Sequence, residues 1–172
     1  MNDPVFECFL ERQFQEGMAL AASSDILNLM PIPVSPHWQY IAEYHCKGLI
    51  QNRAGEIVEH SLFVMAISFP DDYLRRVDVS TVLTYLGPEP VVWQPNIRGP
   101  LVCLHIRPAT PLVDLLYSCY ELFTWNLRNT SDDGLNRAAS QWARHQDPAR
   151  FPIDRRPLKR RALHLQTGEA AR

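Results

Sequence analysis

The sequence predicts an α+β fold with an N-terminal helix, a four-stranded antiparallel meander, a long loop and C-terminal helices. Three observations lead to this prediction: helical spacing of apolar residues before residue 24, strand-like segments between residues 26 and 86, and helical spacing again after residue 112. When strands and helices are segregated along a chain, the helices typically cover one face of the sheet. We therefore expect one sheet packed against the N-terminal helix and a helix over residues 112–127.

The first helix is predicted to begin at Pro4 and to end near Ser23 and Ser24. Asn2 or Asp3 can cap it, because short polar side chains accept hydrogen bonds from the first turn, and proline is favoured at the first helical position. Apolar residues then recur at three- and four-residue steps. They are Phe6, Phe9, Leu10, Phe14, Gly17 and Met18.

Four extended segments follow the helix. "ILNLMPIPVSP" is broken by prolines, and "HWQYIAEYHCKGLIQN" alternates apolar and polar residues, which predicts one strand before a turn at residues 53–55. "HSLFVMAISF" predicts a more buried strand, and "DVSTVLTYL" is rich in β-branched residues, which favour strands. Together these segments predict the meander.

Residues 87–111 form a long loop that contains six prolines. A structureless stretch of more than about 15 residues inside a compact domain is usually functional. After it, "LVDLLYSCYELFTWNL" predicts a buried helix over residues 112–127, and "SDDGLNRAASQWARH" predicts a further helix.

Composition and charge describe an ordinary globular domain with a basic end. The chain has 172 residues, of which 46% are hydrophobic and 21% charged, and we expect one domain over residues 1–146. Residues 144–172 contain eight Lys or Arg against three acids, so we assign residues 147–172 to a basic C-terminal tail. Its segment "RRPLKRR" could contact nucleic acid or an acidic partner, but no aromatic residues are interleaved, which favours a solvated tail.

We expect a cytoplasmic protein without a metal or a cofactor. No apolar run approaches the roughly 18 residues that span a bilayer, and the acidic N-terminus lacks the basic region of a signal peptide. The histidines near Cys46 lack the spacing of a zinc site, and no glycine-rich phosphate loop is present. The absence of any C-x-x-C pair indicates four free thiols: Cys8, Cys46, Cys103 and Cys119.

Cys103 is the candidate nucleophile among these thiols. It lies in the proline-rich loop, after a Pro-Asn pair and a Gly-Pro turn, where a substrate carbonyl could reach the sulfur. Cys46 falls in a predicted strand and Cys119 in a predicted helix, which are positions that bury thiols, and Cys8 falls on the face of the amphipathic first helix. His105 is a further candidate base, because side chains two residues apart in an extended segment point to the same side. The alternatives are a buried structural thiol and a solvent-facing histidine.

Five short motifs occur in a fixed order along the chain. They are "FPDDYL" at 69–74, "QPNI" at 94–97, "VCL" at 102–104, "RPATP" at 107–111 and "DDGLN" at 132–136. They resemble, in turn, the Phe-Pro-x-x-Tyr-Pro turn, the His-Pro-Asn-Ile segment, the Ile-Cys-Leu around the active cysteine, the Ser-Pro-Ala loop and the Asp-Asp-Pro-Leu gate of ubiquitin-conjugating enzymes. The sequence therefore resembles a divergent member of the ubiquitin-conjugating enzyme (UBC) family over residues 3–145, which implies a UBC-like fold.

The resemblance implies a transferase that carries a ubiquitin-like modifier as a thioester on Cys103. An adenylating activating enzyme would supply the modifier, and a lysine amine of a target protein would accept it. Asn96 would act as an oxyanion donor or as a brace of the loop, although asparagine after proline is also an ordinary turn residue. Asp133, or Asp132 beside it, would orient the lysine and take up its proton, and either could also cap the next helix.

The resemblance also implies two docking loops for a ligase and the activating enzyme, namely the FPDDYL turn at residues 69–74 and the RPATP loop at residues 107–111. These docking loops should lie together at one end of the domain. Divergent relatives of this kind occur in bacterial gene clusters that encode a ubiquitin-like protein, an activating enzyme and a peptidase, and that are linked to antiviral defence against phage. The expected partner-binding residues are Phe69, Pro70, Tyr73, Pro108 and Ala109.

Several positions depart from the family pattern. Gln94 stands in place of the histidine, Leu74 in place of the second proline, and the stretch from Cys103 to Pro108 is shorter than usual. These departures leave open a non-catalytic UBC-like binding module that scaffolds a modifier or a partner protein, whereas the retained cysteine favours the active transferase. The first helix also carries acids where basic residues are common in the family, namely Glu7, Glu11 and Glu16.

Overall fold

The computed structural model describes residues 3–35, 37–88, 91–131 and 134–160. The order of helices and strands within these ranges confirms an α+β fold with an N-terminal helix, a four-stranded antiparallel sheet and C-terminal helices. A short 3-10 helix spans Pro148–Arg150. The other elements are α1 (Pro4–Ala22), β1 (Leu27–Pro31), β2 (Gln39–Tyr44), β3 (Gly48–Gln51), β4 (Ile57–His60), β5 (Phe63–Ser68), α2 (Val79–Val82), β6 (Leu83–Gly87), β7 (Ile97–Arg98), β8 (Leu101–Val102), α3 (Leu112–Phe123) and α4 (Arg137–Arg144).

Four of the strands form one antiparallel sheet in the order β1-β2-β5-β6. Because successive side chains point to opposite faces of a strand, alternate residues of β2 and β5 are buried on the helical side. Two separate antiparallel ribbons flank the sheet, one made of β3 and β4 and the other of β7 and β8. The inward residues of the two central strands are Tyr40, Ala42, Tyr44, Phe63, Met65 and Ile67.

The predicted strand over residues 37–52 is divided into β2 and β3. Between them Cys46 is buried, and Lys47 N donates to the buried carboxylate of Asp154 at 2.9 Å. That bond comes from a distant part of the chain and ends the alternating pattern. Strand β3 lies outside the main sheet, where it pairs with β4 and forms an isolated antiparallel bridge from Ile50 to Val92.

The predicted strand over residues 78–86 also begins later than expected. Asp78 accepts a hydrogen bond from Ser80 N at 3.0 Å, and the next four residues form the helical turn α2. The cap therefore overrides the β propensity of the valines in this turn. The loop over residues 87–111 likewise contains a short hairpin, β7–β8, that the sequence did not indicate.

Helix α1 begins and ends close to the predicted residues. The Asp3 carboxylate accepts from Val5 N at 3.0 Å, Pro4 occupies the first turn, and Ser23 forms the C-terminal cap. Among the described helices, none has both the length and the apolar character needed to cross a bilayer. The buried face of α1 consists of Phe6, Leu10, Gln13, Gly17 and Leu20.

Helix α3 packs against α1 and the inner face of the sheet. It ends at Phe123, short of the predicted residue 127. Gln13 Oε1 accepts from Leu112 N at 2.8 Å, so a side chain of α1 caps the start of α3. A Cβ at Gly17 would lie 2.6 Å from Leu112 Cδ2, so glycine allows the two helices to approach closely. Four α3 residues are each no more than 1% exposed, as predicted: Leu115, Leu116, Cys119 and Phe123.

Residues 147–160, which the charge pattern groups with a basic tail, pack back onto the domain. Arg156 pairs with Asp154 at 2.6 Å and donates to His45 O at 2.9 Å. Arg160 N donates to Ser23 O at the C-terminal end of α1, where a cation is favoured. The packed domain therefore extends to residue 160, and residues 161–172 lie outside the described part of the chain. The buried anchors of this segment are Phe151, Asp154 and Leu158.

Candidate active site

A short hairpin brings Cys103 to the surface. Strands β7 and β8 pair Ile97 with Val102, and Gly99 closes the turn at φ +57°, a conformation that glycine adopts without steric cost. Burial alternates after the turn, because Leu101 is exposed, Val102 is buried and Cys103 is exposed. The extended backbone therefore turns the Cys103 thiol towards solvent.

Asn96 holds the backbone of Cys103 with two hydrogen bonds. Cys103 N donates to Asn96 O at 2.7 Å, and Asn96 Nδ2 donates to Cys103 O at 2.9 Å. Asn96 Oδ1 accepts from Asn129 N at 2.7 Å, which ties this segment to the loop before α4. We refer to these three hydrogen bonds, which link Asn96 to Cys103 and to Asn129, as the brace. The role of Asn96 as an oxyanion donor stays a prediction.

Gln94 is fully buried beneath this brace and connects it to the end of α3. Its Oε1 accepts from Asn96 N at 2.7 Å, and its Nε2 donates to Leu122 O and Leu127 O, each at 2.8 Å. An amide offers two N–H donors and an acceptor, whereas a neutral imidazole offers one of each. Gln94 therefore satisfies three backbone partners where a histidine could satisfy two. A line of hydrogen bonds runs from α3 to Cys103.

The four cysteines differ in exposure and acidity. Cys8 and Cys103 are exposed, whereas Cys46 and Cys119 are buried. Burial raises the pKa of the Cys46 thiol to about 12, and burial raises the pKa of the Cys119 thiol to about 12 as well. Neither buried thiol is therefore ionised near neutral pH. Cys8, on the amphipathic helix α1, is exposed but lies far in sequence from the loop that Asn96 holds.

His105 is exposed two residues after Cys103. Leu104 between them is half-buried, and His105 is exposed, so the alternation continues past the thiol. This alternation agrees with the sequence pattern, and the common direction of the two side chains stays a prediction. The exposed imidazole of His105 therefore remains the candidate base beside the thiol.

The loop before α4 is anchored beside the brace, while the two candidate acids lie outside the described residues. Asn136 N donates to Pro95 O at 3.0 Å, and the Asn136 side chain caps α4. The capping role considered for Asp132 or Asp133 is therefore filled by Asn136. The catalytic role of these two aspartates stays a prediction.

The two predicted docking loops contact each other. Tyr73 Oη donates to Thr110 O at 2.8 Å, and Ala109 N donates to Tyr73 O at 3.3 Å. Phe69 and Tyr73 are no more than 1% exposed, so their rings anchor the loops inside the core and cannot contact a partner directly. This corrects the expectation for the two aromatic residues. The predicted partner-binding residues that keep solvent exposure are Pro70, Pro108 and Ala109.

Two positioning residues were missed by reasoning from the sequence. Gln94 was noted only as a departure from a family motif, although a polar residue inside the apolar run "VVWQPNI" is a signal for a buried hydrogen-bonding role. Asn129 acts through its backbone N–H, which no residue pattern could reveal. Both act on the backbone around Cys103.

No known protein-family model matches this sequence, and no curated protein matches it either. Within the described ranges, no three His, Cys, Asp or Glu side chains come together in a way that could hold a metal ion. The described site is therefore defined by one exposed thiol, a neighbouring imidazole and the two buried amides that hold the loop.

Proposed function

We propose that this chain is a ubiquitin-like protein conjugating enzyme of the UBC-like fold, which carries a modifier as a thioester on Cys103 and transfers it to a lysine amine. The observation that carries the proposal is the exposed thiol of Cys103 on a loop whose backbone is held on both sides by Asn96. An acyl carrier needs a sulfur that two partners can reach in turn, and a fixed position for the attack on the carbonyl carbon.

Loading exchanges one thioester for another. The Cys103 thiolate attacks the carbonyl carbon of the modifier on the activating enzyme, a new C–S bond forms, and the thiolate of that enzyme leaves. In discharge, a lysine nitrogen attacks the same carbon, the Cys103 thiolate leaves, and the proton of the amine passes to a base. His105 and Asp133 are the candidates for that base. The adenylating enzyme consumes the ATP, so this chain needs no cofactor.

Two further features support the proposal. The docking loops adjoin each other, as the resemblance to UBC enzymes implies, and the helix–sheet–helix order is compatible with that fold. In this proposal the partners are a ubiquitin-like modifier, its adenylating enzyme and a target protein. The chain acts with them in the cytoplasm of a bacterium, in antiviral defence.

Loading tests the proposal directly. The modifier, the activating enzyme and ATP are mixed with the wild type, Cys103→Ala or Cys8→Ala, and the products are separated on non-reducing gels. We expect one reductant-sensitive adduct in the wild type and Cys8→Ala, and none in Cys103→Ala. Asn96→Ala and Asp133→Ala should load and then discharge more slowly to lysine. An adduct that persists in Cys103→Ala would overturn the choice of nucleophile.

A second candidate function is a non-catalytic UBC-like module that scaffolds a modifier or a partner. One observation favours it: Tyr73 and Thr110 hold the docking loops together without any contribution from Cys103. The immobilised chain can be tested for binding of the modifier on an affinity column. Binding of the modifier without any adduct at Cys103 would favour this module over the transferase.

A further inference from the structure

Residues 124–129 follow α3 and contact the candidate active site, and we refer to them as the link. Two backbone groups of the link bind the buried amides. Leu127 O accepts from Gln94 Nε2 at 2.8 Å, and Asn129 N donates to Asn96 Oδ1 at 2.7 Å. The conformation of the link therefore decides whether Gln94 and Asn96 keep these partners.

Trp125 gives the link an unusual backbone conformation. Its φ is +65°, in the left-handed region, where a bulky side chain is a genuine outlier. A residue persists in such a conformation only where the surrounding contacts determine it. Thr124, directly before it, is the C-terminal cap of α3 and still has helical backbone angles. Trp125 therefore turns the chain out of the helical path, and Asn129, four residues later, reaches Asn96.

The Trp125 ring is held in place by packing. It is fully buried, and within the described part of the chain its Nε1–H has no hydrogen-bond acceptor. Phe151, from the C-terminal segment of residues 147–160, stacks on it with ring centroids 5.2 Å apart and ring planes at 15°. Trp142 of α4 meets it edge-on at 5.4 Å. The position of Trp125 therefore depends on its aromatic neighbours.

Phe151 also holds a second residue of the link. The Arg128 guanidinium lies 4.5 Å from the centroid of the Phe151 ring, which is within the range of a cation–π interaction. Arg128 Nη1 also donates to Trp125 O at 2.8 Å, which fastens the left-handed residue. Since Arg128 directly precedes Asn129, one peptide bond separates a residue that Phe151 holds from the residue that binds Asn96.

The C-terminal segment presents Phe151 at a fixed position against the link. Phe151 is 8% exposed. Shortly after it, Ile153 N donates to Thr124 O at 2.7 Å, which joins the segment to the start of the link. The buried carboxylate of Asp154 then accepts from Lys47 N at 2.9 Å, which joins the segment to the sheet side of the domain. The contacts of Phe151 are therefore supported from the chain that follows it.

We propose that Phe151 is a positioning residue of the conjugating site. It keeps Trp125 in the left-handed conformation, so that the link holds Asn96 and, through Asn96, the backbone of Cys103. Without the aromatic ring, Trp125 relaxes towards the helical region, and Asn129 N moves away from Asn96. This inference rests on the proposed function where it concerns transfer from Cys103, and it gives the C-terminal segment a part in that transfer.

Four variants separate this role from general stability. Phe151→Leu keeps an apolar side chain and removes the aromatic ring, whereas Phe151→Tyr keeps the ring. Arg128→Met keeps an unbranched stem and removes the cation and its N–H groups. Phe6→Leu is the matched control, because Phe6 is also buried and packs edge-on against an aromatic ring, that of Trp38 at 5.4 Å, but it belongs to α1. Urea unfolding verifies that each variant is folded under the conditions of the assay.

A small thioester probe reports on transfer without the unidentified modifier. The 2-mercaptoethanesulfonate thioester of acetyl-Gly-Gly acylates Cys103 in a Cys8→Ser background: the Cys103 thiolate attacks the thioester carbon, a C–S bond forms, and mercaptoethanesulfonate leaves as a thiolate. Free lysine is then added. Its nitrogen attacks the same carbon, the Cys103 thiolate leaves, and the proton of the amine passes to a base. Intact-mass analysis times the transfer, and the same acyl group on Cys8 in Cys103→Ser gives the unassisted rate.

We expect transfer from Cys103 to be about tenfold slower in Phe151→Leu than in the wild type, because a small displacement of a positioned group costs a large factor in rate. Phe151→Tyr should stay within about twofold of the wild type. Arg128→Met should lie between these two variants, and Phe6→Leu should match the wild type. NMR-detected hydrogen exchange should be faster at the backbone N–H groups of Asn129 and Cys103 in Phe151→Leu, and unchanged there in Phe6→Leu.

The possible failures are distinguishable. Transfer at the wild-type rate in Phe151→Leu, equal slowing in Phe6→Leu, or a Phe151→Tyr variant as slow as Phe151→Leu would overturn the positioning role and leave the proposed function intact. Unchanged exchange at both N–H groups would also overturn it, because the link would then not depend on Phe151. Transfer from wild-type Cys103 no faster than from Cys8 would contradict the proposed function, and the exchange measurement would then decide alone whether Phe151 holds the link.

Discussion

Replacing Gln94 with leucine tests the buried connection between Cys103 and α3. The substitution keeps a side chain of similar size and removes all three hydrogen bonds of the amide. Asn96 N and Leu127 O then lose the partners seen here, whereas Leu122 O keeps a hydrogen bond from Trp125 N at 3.1 Å. The loss therefore falls on two backbone groups.

Each buried backbone group left without a partner costs about 1–3 kcal/mol. With two such groups, and some compensation from the apolar leucine, we expect Gln94→Leu to lower the free energy of unfolding by about 3 kcal/mol. For a domain of this size that corresponds to a fall in Tm of about 6–12 °C. Gln94→His should lose about half as much, because an imidazole keeps one donor and one acceptor.

Urea unfolding followed by circular dichroism measures both variants. Gln141→Leu serves as the control, because Gln141 is exposed on α4 and the same change in composition should matter little there. Hydrogen exchange should show faster opening of residues 94–103 in Gln94→Leu than in the control. A loss below about 0.5 kcal/mol, equal to that of an ordinary surface change, would refute the proposed connection.

Three further predictions concern charge, thiols and packing. Burial disfavours the charged Asp154 carboxylate, but hydrogen bonds from Arg156 and from backbone N–H groups outweigh it and lower its pKa from 3.8 to about 2. The ionised Asp154 should therefore contribute about 2 kcal/mol to the free energy of unfolding above pH 4, and this contribution should be lost as the pH falls towards 2. Urea unfolding at a series of pH values should show this loss in the wild type and not in Asp154→Asn. At pH 8, iodoacetamide should modify the two exposed cysteines and spare Cys46 and Cys119 until urea unfolds the chain; peptide mapping of alkylated Cys46 in native protein would contradict this. Gly48→Ala should lower the urea midpoint strongly, because its Cβ would lie 2.5 Å from a backbone oxygen of α3, and an unchanged midpoint would contradict the packing.

The elements that could be predicted from the sequence are those specified by neighbouring residues. Helix α1 is an example, because Asp3, Pro4 and the apolar spacing all lie within the helix or next to it. The break between β2 and β3 could not be predicted, because it depends on Asp154, which lies 107 residues from Lys47. The α2 turn was missed because a single cap outweighed the strand propensity of the valines.

In the candidate site, too, some features could be predicted from the sequence and others could not. The position of Cys103 after a Pro-Asn pair and a Gly-Pro turn was visible in the residues, and so was the alternation that exposes His105. The brace was not, because Asn129 lies 33 residues from Asn96 and takes part through its backbone. The burial of Phe69 also depends on packing across the core, so a motif read as a docking surface is partly an anchor.

The chemical nature of the bond at Cys103 tests the central claim most directly. Wild type and Cys103→Ser are loaded with the modifier, and each adduct is treated with dithiothreitol and with hydroxide before intact-mass analysis. A thioester on sulfur predicts that the wild-type adduct is released by dithiothreitol, because thiols exchange with thioesters. Any Cys103→Ser adduct should survive dithiothreitol and be cleaved by hydroxide, because an oxyester has a poorer leaving group. A wild-type adduct that resists dithiothreitol, or a dithiothreitol-sensitive adduct in Cys103→Ser, would contradict the assignment of Cys103 as the acyl carrier.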